Sequence, residues 1–190
     1  MAAHAPPLAD FETHAVPDGT RITLTFPDDF HHHFRDGDKV PNVLALATRR
    51  FARAIVMPNL QPPVVNTERM MAYRDHILKS LPPDAVGKFE PLMTLYLTDN
   101  TTPETIREAH ATGYVKACKY YPAGATTNSD FGVTDVKKIY PAITAMAEVG
   151  MVLCIHSEVT GPTIDIFDRE GEFIQDIMKP LVADFPNLKI

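Results

Sequence analysis

Cysteine is scarce in this chain: two residues in 190, Cys118 and Cys154. Each lies in an apolar run, so both are expected to be reduced, buried thiols of a cytoplasmic protein, with a disulfide between them as the minor alternative. There is no basic block. Eighteen Lys and Arg against 24 Asp and Glu leave a net charge of −6, with both signs scattered along the chain. Nucleic acid is therefore not an expected partner. No apolar run approaches the ~18 residues of a membrane span, so no membrane association is expected. The opening MAAHAPPLADFETHAVPDGT has no apolar core and no Arg, and it carries Asp10, Glu12 and Asp18. Neither a secretory signal nor a transit peptide is expected. No G-x-G-x-x-G turn follows the first expected strand, which disfavours a dinucleotide-binding open sheet.

What is present is a hydrophobic content of 45%, enough for one sizeable core. Residues 1–20 are Ala- and Pro-rich and are expected to be a flexible lead-in, with 21–190 forming one domain. In that domain strand and helix patterns alternate. Strands are expected at 22–26, 54–59, 91–98, 114–123 and 151–159. Helices are expected at 41–51, 67–81, 102–112, 133–150 and, for the most part, 163–185. Thr102 is placed to cap the third helix, with Pro103 at its first position, and Gly150 closes the fourth. The final NLKI reads as the start of a sixth strand.

This alternation implies a parallel sheet covered by helices. Polar and ionisable residues gather at the strand ends, where a TIM barrel carries its catalytic face. The expected fold is thus an α/β (β/α)8 barrel of the metal-dependent hydrolase type, of which about the first five βα units are present. A closed barrel needs eight strands over ~250 residues, so the expectation is a truncated chain.

The segment PDDFHHHFRDGD (27–38) carries the sharpest local chemistry. In an extended chain His31 and His33 point to one side and His32 to the other. Two imidazoles on one face can bind one zinc, and Asp28, Asp29, Asp36 and Asp38 could orient them. A surface loop that happens to hold three histidines is the equal alternative.

FHHHFRDGD resembles the H-x-H-x-R-D-G stretch of the dihydroorotases, of the amidohydrolase superfamily. The likeness continues through VMPNLQPPV (56–64), LMTLYLTD (92–99), KYYPAGATTNS (119–129), HSEV (156–159) and DIFDRE (165–170), in order and at similar spacing. It favours the single-function, bacterial-type branch. The family's H-x-H usually has an apolar middle residue, whereas here it is His32.

The resemblance implies two zinc ions per site. His31 and His33 would bind the first and His156 the second. Lys119, as a CO2-derived carbamate, would bridge both. Arg35 and Asn59 would bind a substrate carboxylate, and Thr126 and Thr127 would belong to a mobile loop closing over substrate. The implied reaction is the reversible cyclisation of N-carbamoyl-L-aspartate to L-dihydroorotate in pyrimidine synthesis, with a homodimer as an assembly the family allows. A further histidine ligand and the acid/base aspartate would fall beyond Ile190. Two alternatives stay open: another cyclic amidase of the hydantoinase or allantoinase kind, and a non-catalytic fragment or partner chain.

Taken singly, each residue has a plainer reading. Lys119 would be an exposed strand lysine, like Lys116 at opposite parity, and His156 a hydrogen-bonded core histidine. Asn59 would be a turn residue, and Arg35 would pair with Asp36 or Asp38. Tyr121 reads as packing. Thr126 and Thr127 would be ordinary loop residues.

Overall fold

The computed structural model describes residues 17–161 and 163–190. Most of the expected lead-in therefore lies outside the described residues, and 17–20 form an exposed turn. The elements run β1 (Asp28–His32), α1 (Lys39–Ala47), β2 (Arg53–Val56), α2 (Thr67–Lys79), β3 (Glu90–Tyr96), α3 (Pro103–Ala111), β4 (Val115–Tyr120), α4 (Tyr140–Val149), β5 (Val152–Ile155), α5 (Arg169–Phe173) and α6 (Lys179–Asp184).

The strands form one parallel sheet in the order β1-β2-β3-β4-β5. Each crossover leads to the next neighbour in the same direction. Right-handed crossovers of that kind place the helices on one face, and α1, α2, α3 and α4 touch in series. The sheet is a half-barrel of five βα steps with its inner face open. Lys189 makes a parallel bridge to Val152, so the chain's last residues begin to extend the sheet as expected.

Local chemistry sets the helix boundaries. Asn66 caps α2 by accepting from the Arg69 N–H at 3.0 Å. Thr102 caps α3 by accepting from the Thr105 N–H at 3.2 Å, with Pro103 behind it. Gly150 ends α4 at φ 71°, a left-handed conformation that glycine adopts without a Cβ clash. Between the sheet and the helices lies a core that includes Leu44, Met70, Ile77, Leu95, Ile106, Ile143 and Met146, all fully buried. Truncating any one of these large aliphatic side chains to Ala costs about 2–5 kcal/mol.

Two expectations are corrected. Residues 22–26 form no strand, and Ile22 and Leu24 are 74% and 75% exposed. β1 starts at Asp28 and its single neighbour is β2, so the alternating ITLTF segment has no ladder to join. The last helical region begins at Arg169 rather than 163. The Asp165 carboxylate accepts from the Phe167 N–H at 2.9 Å, an Asx turn that competes with helix. Beyond it, Ile174–Met178 takes a π-helical turn immediately before α6, in whose first turn Pro180 lacks an N–H.

Candidate metal centre

The site is built at the carboxyl ends of the strands. β1 and β2 pair as Asp29 with Ala54 and His32 with Val56, so β1 carries one extra residue in between. This bulge brings Asp29 and His32 to the same, helix-facing side. There the Asp29 Oδ2 bonds His32 Nδ1 at 2.8 Å, and the His32 ring packs on Phe34 at 4.3 Å between centroids. His31 and His33 emerge on the other side, with their Nε2 atoms 3.1 Å apart. The parity expected of the three histidines holds.

The aspartates do not act as expected. Asp29 serves His32, Asp28 pairs with Arg53, and Asp36 accepts from the Gly37 N–H. Asp38 precedes α1 without a side-chain capping bond. Among the described residues, none of the four bonds the His31 or His33 ring. The bulge turns Asp29 away, and the arginine on β2 captures Asp28.

Lys119 sits near the end of β4, paired in register with Tyr96 on β3 and Cys154 on β5. It is only 2% exposed. Among the described residues no hydrogen bond or ion pair reaches its Nζ, which lies 5.2 Å from the centre of the Tyr121 ring. Burial therefore drives its pKa below the ordinary lysine value and favours the neutral amine. Lys116, by contrast, is exposed and donates to the Gly113 carbonyl. His33 is held at about 4, first by burial, then by the positive charge of Arg35 and by His31. His31 is also lowered, by burial, then by Lys119, with His156 a smaller contributor. Both shifts favour the neutral ring, the form that binds metal.

Tyr121 is the wall of the site. Its ring stacks on Tyr96 at 5.1 Å and faces His156 at 6.2 Å. Its hydroxyl is buried with no partner among the described residues. Burial raises its pKa. Cys154 is half-buried beside Lys119 rather than fully buried as expected, because β5 lies near the open edge. Cys118 is buried on the helix side against Met151, and both thiols are free.

Arg35 and Asn59 meet in one cleft of about 190 Å³, together with Lys39, Gln61 and Asn128. Arg35 has φ 65°, and its carbonyl accepts from the Tyr73 hydroxyl at 2.8 Å. No bond links its side chain to Asp36 or Asp38 among the described residues. Asn59, 4% exposed, donates to the Thr127 carbonyl at 3.0 Å, and Asn128 donates back to the Asn59 carbonyl at 2.9 Å. The loop carrying Thr126 and Thr127 is thus clasped to the end of β2, while both threonines stay exposed. His156 follows β5, and its N–H continues the ladder to the Tyr120 carbonyl at 2.9 Å. Its ring binds Glu158 at 2.6 Å.

The structure thus gathers His31 with His33, and Arg35 with Asn59, and sets Lys119 and His156 around Tyr121. It does not bring His156 to the histidine pair as a third ligand. Among the described residues no three His, Cys, Asp or Glu side chains converge on one point suited to a metal ion. Sequence reasoning missed Lys39 and the clasp residue Asn128, while Glu158 counts among the ionisable residues at the strand ends, at i+2 from His156 on extended chain, with no role assigned to it.

The fold and these strand-end residues define an open half-barrel of the TIM type. No family model matches the chain. It is 57% identical to the dihydroorotase of Ralstonia pickettii over 169 residues, which are 89% of this chain and 48% of that protein. It is also 57% identical to the dihydroorotase of Vibrio parahaemolyticus over 171 residues, 90% of this chain and 49% of that one. A dihydroorotase structure from Saccharomyces cerevisiae, in complex with 5-fluoroorotic acid, superposes with a TM-score of 0.78 at 36% identity. That match covers 89% of this chain and 47% of the yeast chain. An L-hydantoinase from Arthrobacter aurescens, at 18% identity and a TM-score of 0.57, shares the fold alone. Over the span they share, the chain is a homologue of the dihydroorotases, and it spans about half the length of the curated relatives it matches. Among the described residues no helix is long and apolar enough to cross a membrane.

Proposed function

We propose that this chain supplies one half of a two-zinc dihydroorotase centre. It would act in the cytoplasm on N-carbamoyl-L-aspartate and L-dihydroorotate. The observation that carries this reading is the convergence of His31 and His33, whose Nε2 atoms lie 3.1 Å apart. Two nitrogens at zinc-ligand distance on one tetrahedral ion sit about 3.3 Å apart, so the pair fits the metal. His31 and His33 would hold one zinc, His156 a second, and Lys119 as a carbamate would bridge them. Zinc bound there would lower the pKa of a bound water and polarise the substrate carbonyl.

The chain's own groups support these roles. Lys119 is a buried amine whose pKa is lowered by desolvation, which favours the neutral form that adds to CO2. The amine nitrogen forms the bond to carbon, one proton leaves to solvent, and a carbamate anion with two ligand oxygens results. Arg35 offers a planar fork of donors for a carboxylate, and Lys39 adds positive charge to the same cleft. Asn59 shapes that cleft and holds Thr127, so Thr126 and Thr127 offer exposed hydroxyls from a loop anchored beside Arg35. The two free thiols suit a reducing compartment.

The test is direct. The 190-residue chain is loaded with zinc in carbon-labelled bicarbonate. Bound metal is counted, the carbamate carbon is read by NMR, and interconversion of the two compounds is followed. Lys119→Ala is expected to lose the carbamate signal and any turnover. A carbamate signal of undiminished intensity in that variant would sink the reading.

A further inference from the structure

His156 stands one residue past β5, with its backbone still in the ladder. In extended chain, residues two apart share a side, and the side chain two residues on belongs to Glu158. The distance from His156 Nε2 to Glu158 Oε2 is 2.6 Å. Both side chains are about one-quarter exposed, at 28% and 26%, so water competes only partly for this bond. The backbone after Glu158 is tied down as well, because the Val159 N–H donates to the Arg169 carbonyl at 3.2 Å.

A carboxylate accepts hydrogen bonds and has none to give. The shared proton therefore belongs to Nε2, and Nδ1 of the neutral ring keeps its lone pair. Nδ1 makes no hydrogen bond among the described residues, and the ring faces Tyr121, the residue that also lies against Lys119. The arrangement differs from that of His31 and His33, which turn Nε2 toward each other.

We infer that Glu158 is a positioning residue: it holds His156 as the Nε2–H tautomer, so that Nδ1 is the nitrogen offered to the site. This rests on the two-zinc reading for what Nδ1 binds, but the tautomer itself is a property of the metal-free chain. A carboxylate behind a ligating imidazole fixes the ring's orientation and raises its basicity. His156 is the histidine of the proposed set that has such a partner in this structure.

The experiment uses the full 190-residue chain. Imidazole nitrogen shifts are recorded without metal at alkaline pH, where the rings are neutral. His156 is expected as the Nε2–H form in the parent chain and in Glu158→Gln, whose amide oxygen can still accept. In Glu158→Leu the ring is expected to relax to the weaker Nε2–H bias of a free imidazole, with a measurable Nδ1–H fraction. Zinc affinity, measured by chelator competition, is expected to fall about 10–100-fold in Glu158→Leu and far less in Glu158→Gln. A predominant Nδ1–H form in the parent chain overturns the inference, and so does equal zinc affinity in the parent and Glu158→Leu. A parent chain that shows the Nε2–H tautomer yet takes up no zinc overturns the metal-centre reading and upholds the tautomer.

Discussion

Asp29 and His32 bond at 2.8 Å on the helix-facing side of β1, one on each flank of the bulge near the strand's carboxyl end. The bond removes His32 from the site and leaves His31 and His33 to face each other. A split among three adjacent histidines follows. His31→Ala and His33→Ala are each expected to abolish zinc binding at the first position. His32→Ala is expected to retain it while costing about 0.5–1.5 kcal/mol of stability for the lost hydrogen bond. Metal stoichiometry beside urea denaturation of the three variants checks this.

Burial of Lys119 without a partner among the described residues works against the stability of the metal-free chain. Lys119→Met keeps the volume and removes the buried amine. It is expected to raise the urea midpoint of the metal-free chain by about 1–3 kcal/mol equivalent, while eliminating carbamate formation. A lower midpoint would mean that Lys119 has a stabilising partner.

Acid should weaken the metal-free chain through His33. Its folded value of about 4 lies below the ordinary imidazole value of 6.5. Between those two values the unfolded chain binds the proton and the folded chain does not, so stability falls as pH decreases through that window. His33→Gln is expected to flatten that part of the profile. Urea midpoints taken at steps across the window report it.

Gly132 sits where the site loop doubles back under β4. A Cβ there would lie 2.5 Å from the Tyr121 carbonyl and 2.8 Å from that of Ser129, both rigid backbone. Gly132→Ala is expected to cost about 1–3 kcal/mol. It should also speed hydrogen exchange at Gly124, whose N–H now donates to the Ser129 carbonyl.

Asn59 holds the same loop from the β2 side. Asn59→Ala leaves the Thr127 carbonyl without its donor and is expected to cost about 1–3 kcal/mol. Asn59→Asp keeps the shape but cannot donate, so it should release the loop equally. Loop exchange rates in the two variants separate lost packing from the lost hydrogen bond.

Much of this molecule is legible in one dimension because its causes are local. Short apolar runs bounded by polar turns specify β2 to β5, and Thr102, Pro103 and Gly150 mark helix ends through bonds that span three or four residues. The parity of His31, His32 and His33 follows from the pleat. The parallel order follows from connections too long for hairpins. Other features needed the folded chain. Ile22, Leu24 and Phe26 alternate as a strand should, yet a strand exists only where a neighbour supplies its ladder. Asp29 stood beside His31 in sequence, but a register slip against β2 gave it to His32. Asn59 and Asn128, 69 residues apart, became a clasp only when β2 and the loop after β4 met. Local patterns can name the groups of the proposed centre: two histidines on one face, a strand lysine, a histidine past the fifth strand. Which of them are buried, which neighbour takes each proton, and which nitrogen is left to face the site depend on contacts across the sheet, which only tertiary structure decides.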